Sequence, residues 1–331
     1  MTPLASSHPY DELTPDVIFN ALEHIGLKVD GRLTALNSYE NRVYLVHLET
    51  GKQLVVKFYR PHRWTPRQIA EEHAFAQQLA QAEIPVVAPL TVQATTLHAY
   101  HGFLFAVYPR MGGRYPELDD PFVLEWIGRF LGRIHVVGQK EDFTERPALD
   151  AASFGFTSRD WLLQHGVLPI ELQPQWLNAC DSALSLVQQV WASMDNMSIF
   201  RLHGDCHPGN ILWRPAQKED PGGPHFVDLD DARMGPAVQD FWMLLSQDRQ
   251  ERQQQLAHLM AGYEDFCVFD WQELKLIEPL RTLRIIHYSA WLARRWDDPA
   301  FPLAFPWFGT HNYWLEQIQT LQNQVERMQE M

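Results

Sequence analysis

The chain has 331 residues, 46% of them hydrophobic, and a formal net charge of −14. That length supports a substantial core and about two domains or lobes, while the acidic balance excludes a general nucleic-acid binder, which needs clustered Lys and Arg. Residues 1–10 hold no basic segment leading into an apolar stretch, no run of roughly 18 apolar residues follows, and Cys180, Cys206 and Cys267 form no CxxC pair; a cytoplasmic protein with neither membrane nor nucleic-acid partners is expected.

From about residue 31 to residue 60 the pattern predicts two or three strands. Arg42-Val43-Tyr44-Leu45-Val46 and residues 53–59 are separated by Glu49-Thr50-Gly51-Lys52, which is hairpin chemistry. Residues 57–67 carry four cationic side chains and His62, either a solvated loop after a strand or a site for an anionic substrate. A helix begins at Thr65-Pro66-Arg67-Gln68, with Thr as N-cap, Pro at the first position and Gln completing a capping box, and runs to about Ala82. The prolines of residues 84–89 break it. Two short strands follow, the second over residues 103–108, before Gly112-Gly113.

Those glycines set the expected boundaries: a nucleotide-binding lobe over residues 1–107, a hinge at 108–113, and a catalytic and substrate-binding lobe over 114–331. Beyond residue 120 the periodicity is mainly helical, over 123–137, 179–194, 241–266, 271–296 and 311–329. Short strands flank a segment of different character, at 198–202 and 223–227, and residues 217–223 form a polar turn. No heptad run compels a dimer, so a monomer is expected.

The segment between those strands carries the chemistry. His203-Gly204-Asp205-Cys206-His207-Pro208-Gly209-Asn210 is followed by Phe226-Val227-Asp228-Leu229-Asp230. Phosphoryl transfer needs a carboxylate beside the attacking hydroxyl and oxygen ligands that hold magnesium on the phosphates. Asp205 precedes Asn210 by five residues, the spacing of the protein-kinase catalytic loop. Asp205 is the candidate base, Asn210 and Asp228 the candidate metal ligands, and Asp230 a reserve ligand or a support for one. Two rival readings are a turn held by Asx and His hydrogen bonds, and a transition-metal cluster of His203, Cys206 and His207. Cys206, next to the base, is also a candidate for oxidative inhibition.

Lys57 lies in the strand pattern Val55-Val56-Lys57-Phe58, the setting of a lysine that contacts nucleotide phosphates. Such a lysine needs an acidic partner; Glu72 on the next helix is the first candidate and Glu71 the second. No G-x-G-x-x-G loop precedes Lys57. Asn37-Ser38-Tyr39-Glu40-Asn41-Arg42 takes its place, and Ser38, Tyr39 and Asn41 are candidate nucleotide contacts through small polar groups and backbone N–H. Adenine is expected against residues 107–111.

His203-Gly204-Asp205 and Asn210 resemble the H-G-D-x-x-x-x-N loop of the aminoglycoside phosphotransferase and choline kinase superfamily. The fuller set, residues 36–44, 202–213 and 226–232 with Gly235-Pro236-Ala237-Val238-Gln239-Asp240, resembles a bacterial protein-kinase branch of it over nearly the whole chain. The resemblance implies an α+β, bilobal protein-kinase-like fold, with a small antiparallel N-terminal sheet, one main helix and a larger, mostly helical C-terminal lobe. It also implies ATP- and Mg2+-dependent phosphorylation of serine or threonine in protein substrates, with autophosphorylation, and Asp240 as a brace for the catalytic loop. The turn at residues 217–223 is longer than this resemblance leads one to expect.

Members of this superfamily also phosphorylate small alcohols such as choline, homoserine and aminoglycosides, so the alternative is a small-molecule kinase. Arg284, His287, Tyr288, Trp291, Arg294, Arg295 and Trp296, with Phe305-Pro306-Trp307-Phe308, offer a cationic and aromatic set near the expected cleft, explained by core packing or by an acidic or phosphorylated acceptor, while the arginines would repel a quaternary ammonium from an aromatic cage.

Overall fold

The computed structural model describes residues 8–194, 197–218 and 221–330. The amino-terminal reading over residues 1–7, and residues 219 and 220 of the polar turn, lie outside them. The chain divides into two compact units, one of residues 1–147, 200–234 and 243–269, the other of residues 148–199, 235–242 and 270–331.

The first unit opens with α1 (Pro15–His24), capped by Thr14, whose hydroxyl accepts from Val17 N. This helix was not foreseen, although Thr14-Pro15 is a start signal of the same kind as Thr65-Pro66. Five antiparallel strands follow as β1 (Val29–Leu36), β2 (Arg42–Leu48), β3 (Gln53–Phe58), β4 (His98–Tyr100) and β5 (Phe103–Pro109), in the order β1-β2-β3-β5-β4. Ile18, Ala21 and Leu22 of α1 join Val46, Leu54, Val56, Phe58, Phe105 and Val107 in one buried cluster. Each large side chain there contributes roughly 1.5–3 kcal/mol by leaving water.

Strand alternation then sets the site. Leu54, Val56 and Phe58 face that cluster, so Val55 and Lys57 point to the opposite face of β3. Lys57 is paired in register with Val43 on one side and Ala106 on the other. The main helix, α2 (Pro66–Gln81), carries the expected capping box: Gln68 N donates to the Thr65 hydroxyl at 3.2 Å and Thr65 N to Gln68 Oε1 at 2.9 Å.

The remainder is mostly helical, with α3 (Pro121–Gly138), α4 (Thr157–Gln164), α5 (Gln173–Ala192), α6 (Arg249–Tyr263), α7 (Ile277–Ala293), α8 (Ala300–Ala304) and α9 (His311–Gln329). The helix expected over 241–266 begins only at Arg249. Asp248 caps it by accepting from Glu251 N at 2.9 Å, and residues 237–244 form 3-10 turns instead. The helix expected from residue 271 starts at Ile277, after a 3-10 turn over Trp271–Leu276. In the second unit Trp176, Cys180, Ala183, Leu184, Leu283, Ile286 and Trp314 form the core. No helix among the described residues is long and apolar enough to cross a membrane.

Candidate active site

Four short strands frame the catalytic segment: β6 (Phe200–Leu202), β7 (Ile211–Arg214), β8 (Gly223–Phe226) and β9 (Arg233–Gly235). β6 pairs with β9, and β7 with β8. Between β6 and β7 the chain turns tightly. Gly204 has φ +84°, and a Cβ there would stand 2.2 Å from the Asp231 carbonyl oxygen, so only glycine lets the two loops approach. His203 Nε2 lies 2.9 Å from the Val227 carbonyl, and Val227 N donates to the Asn210 carbonyl at 3.0 Å. The Asn210 side-chain amide donates to the Asp205 carbonyl at 3.0 Å. The loop bearing Asp205 and the loop bearing Asp228 are thus tied by main-chain and His203 bonds.

Asp228 itself adopts φ +58°, ψ 65°, a left-handed conformation uncommon outside glycine. Its side chain is 51% exposed, and Lys57 Nζ donates to its Oδ1 at 2.7 Å. Asp230 lies deeper. Its carboxylate takes Lys57 at 3.3 Å, Asn41 Nδ2 at 3.1 Å and Arg63 Nη1, while both oxygens of Asp231 accept from the single Nη2 of Arg63 at 2.9 Å, and one accepts from Arg233 at 2.7 Å. Burial works against both carboxylates, but the cations outweigh it: Lys57 and Arg63 hold Asp230, and Arg63 and Arg233 hold Asp231, below the usual carboxylate range. Burial likewise opposes the charge of Lys57, yet Asp228 and Asp230 keep it well above the ordinary lysine value.

Two expectations change here. The ion pair between Lys57 and Glu72 is not made, because the ammonium sits between Asp228 and Asp230. Glu72 is buried with Oε2 unbonded, and burial raises its pKa to about 7 despite the opposing charges of Lys57 and Arg146. Glu71, the second candidate, is spent elsewhere: its carboxylate accepts from Thr144 N and Oγ1, Glu145 N and Arg146 N. Asn41, expected at the nucleotide, is 2% exposed, with Nδ2 on Asp230 and Oδ1 accepting from Arg60 N at 3.1 Å. It braces the Asp230 loop rather than offering its amide to a phosphate. Ser38 is half-buried and Tyr39 43% exposed in the turn between β1 and β2.

Three missed residues support the site: Arg63, Arg146 and Arg233. The cationic stretch 57–67 hinted at Arg63, but only the tertiary structure reveals that its charge is consumed by Asp230 and Asp231. Cys206 is fully buried, so its thiol is shielded from an oxidant in this conformation. Among the described residues no cluster of His, Cys, Asp or Glu is arranged to hold a metal, which disposes of the His203, Cys206, His207 reading. A magnesium ion is different: it uses one or two protein oxygens and completes its shell with phosphates and water. The half-exposed Asp228 carboxylate and the Asn210 amide oxygen, with the amide nitrogen fixed on Asp205, fit that demand.

In the second unit Tyr288, Trp291, Trp296 and Phe305 pack against the core, with Arg295 over Trp291 at 5.4 Å and His287 stacked on Phe154 at 4.2 Å. Packing accounts for these aromatics. Asp240 is fully buried in the 3-10 turn Ala237–Asp240.

The H-G-D loop, its tie to Asp228 and the five-stranded sheet with α2 define a class, and residues 32–277 match the model of the phosphotransferase enzyme family. The chain belongs to that family. Stress response kinase A of Escherichia coli (strain K12) is 47% identical over 98% of this chain and 96% of that one. Serine/threonine protein kinase RdoA of Salmonella typhimurium is 46% identical over 97% and 95%. Among solved structures, amicoumacin kinase hAmiN in complex with AMP-PNP, Ca2+ and Ami superposes with a TM-score of 0.72 at 20% identity, covering 96% of this chain and 94% of that one. A microcompartment-associated aminopropanol kinase gives 0.67 at 16%, over 94% and 95%. At these identities the two structures establish the shared kinase-like fold and no more.

Proposed function

We propose that the chain is an ATP-dependent serine/threonine protein kinase that also phosphorylates itself. The observation carrying this reading is the linked set Lys57–Asp228 and Asp228–Val227–Asn210–Asp205 inside one compact unit. Asp205 accepts the proton of the acceptor hydroxyl as its oxygen bonds to the γ-phosphorus and the bond to the β,γ-bridging oxygen breaks, releasing ADP. Asn210 and Asp228 would hold magnesium, which would supply charge neutralisation for the transferring phosphate. Ser38 and Tyr39 contact phosphate from their turn, and residues 107–111 read adenine. Lys57 leaves Asp228 for phosphate oxygens, and Glu72, with its unbonded buried oxygen, is the carboxylate that then receives it. In this reading residues 1–107 bind nucleotide, 108–113 are the hinge and 114–331 carry catalysis and the acceptor.

A protein acceptor is favoured by the relative named a serine/threonine protein kinase. A small-alcohol acceptor is the second reading, because the same fold is found in an aminopropanol kinase and an amicoumacin kinase and the fold alone leaves the acceptor open. Incubation with γ-labelled ATP and magnesium, alone and with a generic basic protein, separates them. Label on serine or threonine that vanishes in Asp205→Ala supports the first. Intact nucleotide binding with no labelled protein would move the search to choline, homoserine and aminoglycosides.

A further inference from the structure

Arg146 lies in a segment that the proposed chemistry does not use, and it is 4% exposed. Its guanidinium donates to three main-chain carbonyls: Gln68 in the first turn of α2 at 3.0 Å, Asp230 at 2.5 Å and Ala232 at 2.5 Å. It also lies over the Trp64 ring at 4.4 Å. None of these bonds goes to a carboxylate, and burial pulls its pKa down even though Glu72, Asp230 and Asp231 oppose the shift. A buried cation without a bonded counter-ion is costly where an apolar side chain would pack as well. What an apolar residue lacks is the planar fork that reaches several acceptors at once.

Those acceptors are placed with purpose. Asp230 and Ala232 bracket the end of the turn that follows Asp228, while Val227 N and O are fixed on Asn210 and His203. Asp228 is therefore held in its left-handed conformation by one clamp on each side, and such a conformation persists only where its surroundings over-determine it. The Arg146 clamp is itself anchored, since residues 144–146 hang on the Glu71 carboxylate of α2 by three main-chain N–H donors and the Thr144 hydroxyl. One segment thus joins the helix bearing Glu72 to the loop bearing the candidate metal ligand.

We propose that Arg146, anchored by Glu71, is a positioning residue that sets the carboxylate of Asp228 for the metal–nucleotide complex and ties that setting to α2. The inference rests on the kinase reading above. Removing a support of a metal ligand lowers metal affinity by about tenfold or more, whereas a merely structural residue would weaken every ligand alike. The test follows Mn2+ uptake by electron paramagnetic resonance with the non-hydrolysable analogue AMP-PNP, beside binding of metal-free AMP-PNP and thermal melting.

Arg146→Ala should raise the Mn2+ dissociation constant about tenfold while metal-free AMP-PNP binding stays within about twofold. Glu71→Gln should shift Mn2+ affinity in the same direction, and the double variant should be no weaker than Arg146→Ala, because both act through one link. Arg146→Lys keeps the charge but loses the fork; it should also weaken Mn2+ uptake, and it serves if the alanine variant fails to fold. Unchanged Mn2+ affinity in the folded Arg146 variants, or an equal fall in metal-free AMP-PNP binding, would overturn the inference alone. A folded wild-type chain that takes up no Mn2+ with AMP-PNP would sink the kinase reading and this inference together.

Discussion

Asn41 makes two hydrogen bonds that an open phosphate-binding turn would leave free, one to Asp230 and one from Arg60 N. Asn41→Ala should therefore destabilise the nucleotide-free protein by about 1–3 kcal/mol, the cost of leaving buried partners unsatisfied. Urea unfolding without nucleotide measures it; unchanged stability with a raised KM for ATP would return Asn41 to the nucleotide. Gly204 is more stringent. An alanine there must hold φ +84° and place its Cβ against the Asp231 carbonyl, so the catalytic loop has to move. Left-handed strain alone costs roughly 1–2 kcal/mol, and the clash adds to it. Gly204→Ala should melt earlier than wild type and lose label transfer, and a variant that transfers label normally would show that the loop tolerates displacement.

Local chemistry was read at α2 but not at α1, whose Thr14-Pro15 start is of the same kind, and contacts with distant partners were not legible. Thr65-Pro66-Gln68 announced α2, whose end falls within a residue of the expected one, and Val55-Val56-Lys57-Phe58 announced the strand that carries Lys57. The resting partner of Lys57 could not be read, because Asp228 and Asp230 lie far along the chain and only the fold decides which carboxylate is nearest. The left-handed backbone of Asp228 is hidden in the same way: Asp enters that region more readily than most residues, but the bonds that hold the flanking main chain come from Asn210, His203 and Arg146. Packing of α3 against α6 belongs to the same hidden class. A Cβ at Gly128 would stand 2.0 Å from the Leu259 carbonyl oxygen, and one at Gly262 would stand 2.0 Å from that of Glu125. In an exposed helix Gly→Ala gains up to about 1 kcal/mol; here Gly128→Ala and Gly262→Ala should each cost about 1–3 kcal/mol through overpacking. Chemical denaturation decides the sign, and a stabilised variant would mean that the two helices separate freely.

Across the whole molecule, buried titratable groups set opposing slopes of stability against pH. Burial lifts Glu273 to about 7, even though Val238 N donates to it at 2.9 Å. Its proton is held more tightly folded than unfolded, so its contribution is full at low pH and is lost as pH rises from about 4.5 to about 7. His73, bonded to Tyr59 and Thr96, is lowered to about 3 by burial and then by Lys57. The unfolded chain takes that proton below about 6.5 while the fold refuses it, so this contribution is lost as pH falls. Between pH 4.5 and 6.5 the two slopes oppose each other, each worth on the order of 2 kcal/mol. Glu273→Gln should therefore gain stability relative to wild type as pH rises through that window, and His73→Gln should gain as pH falls. Urea midpoints at pH 4.5, 5.5 and 6.5 test both, and parallel profiles for the two variants would mean that neither group keeps its folded protonation state.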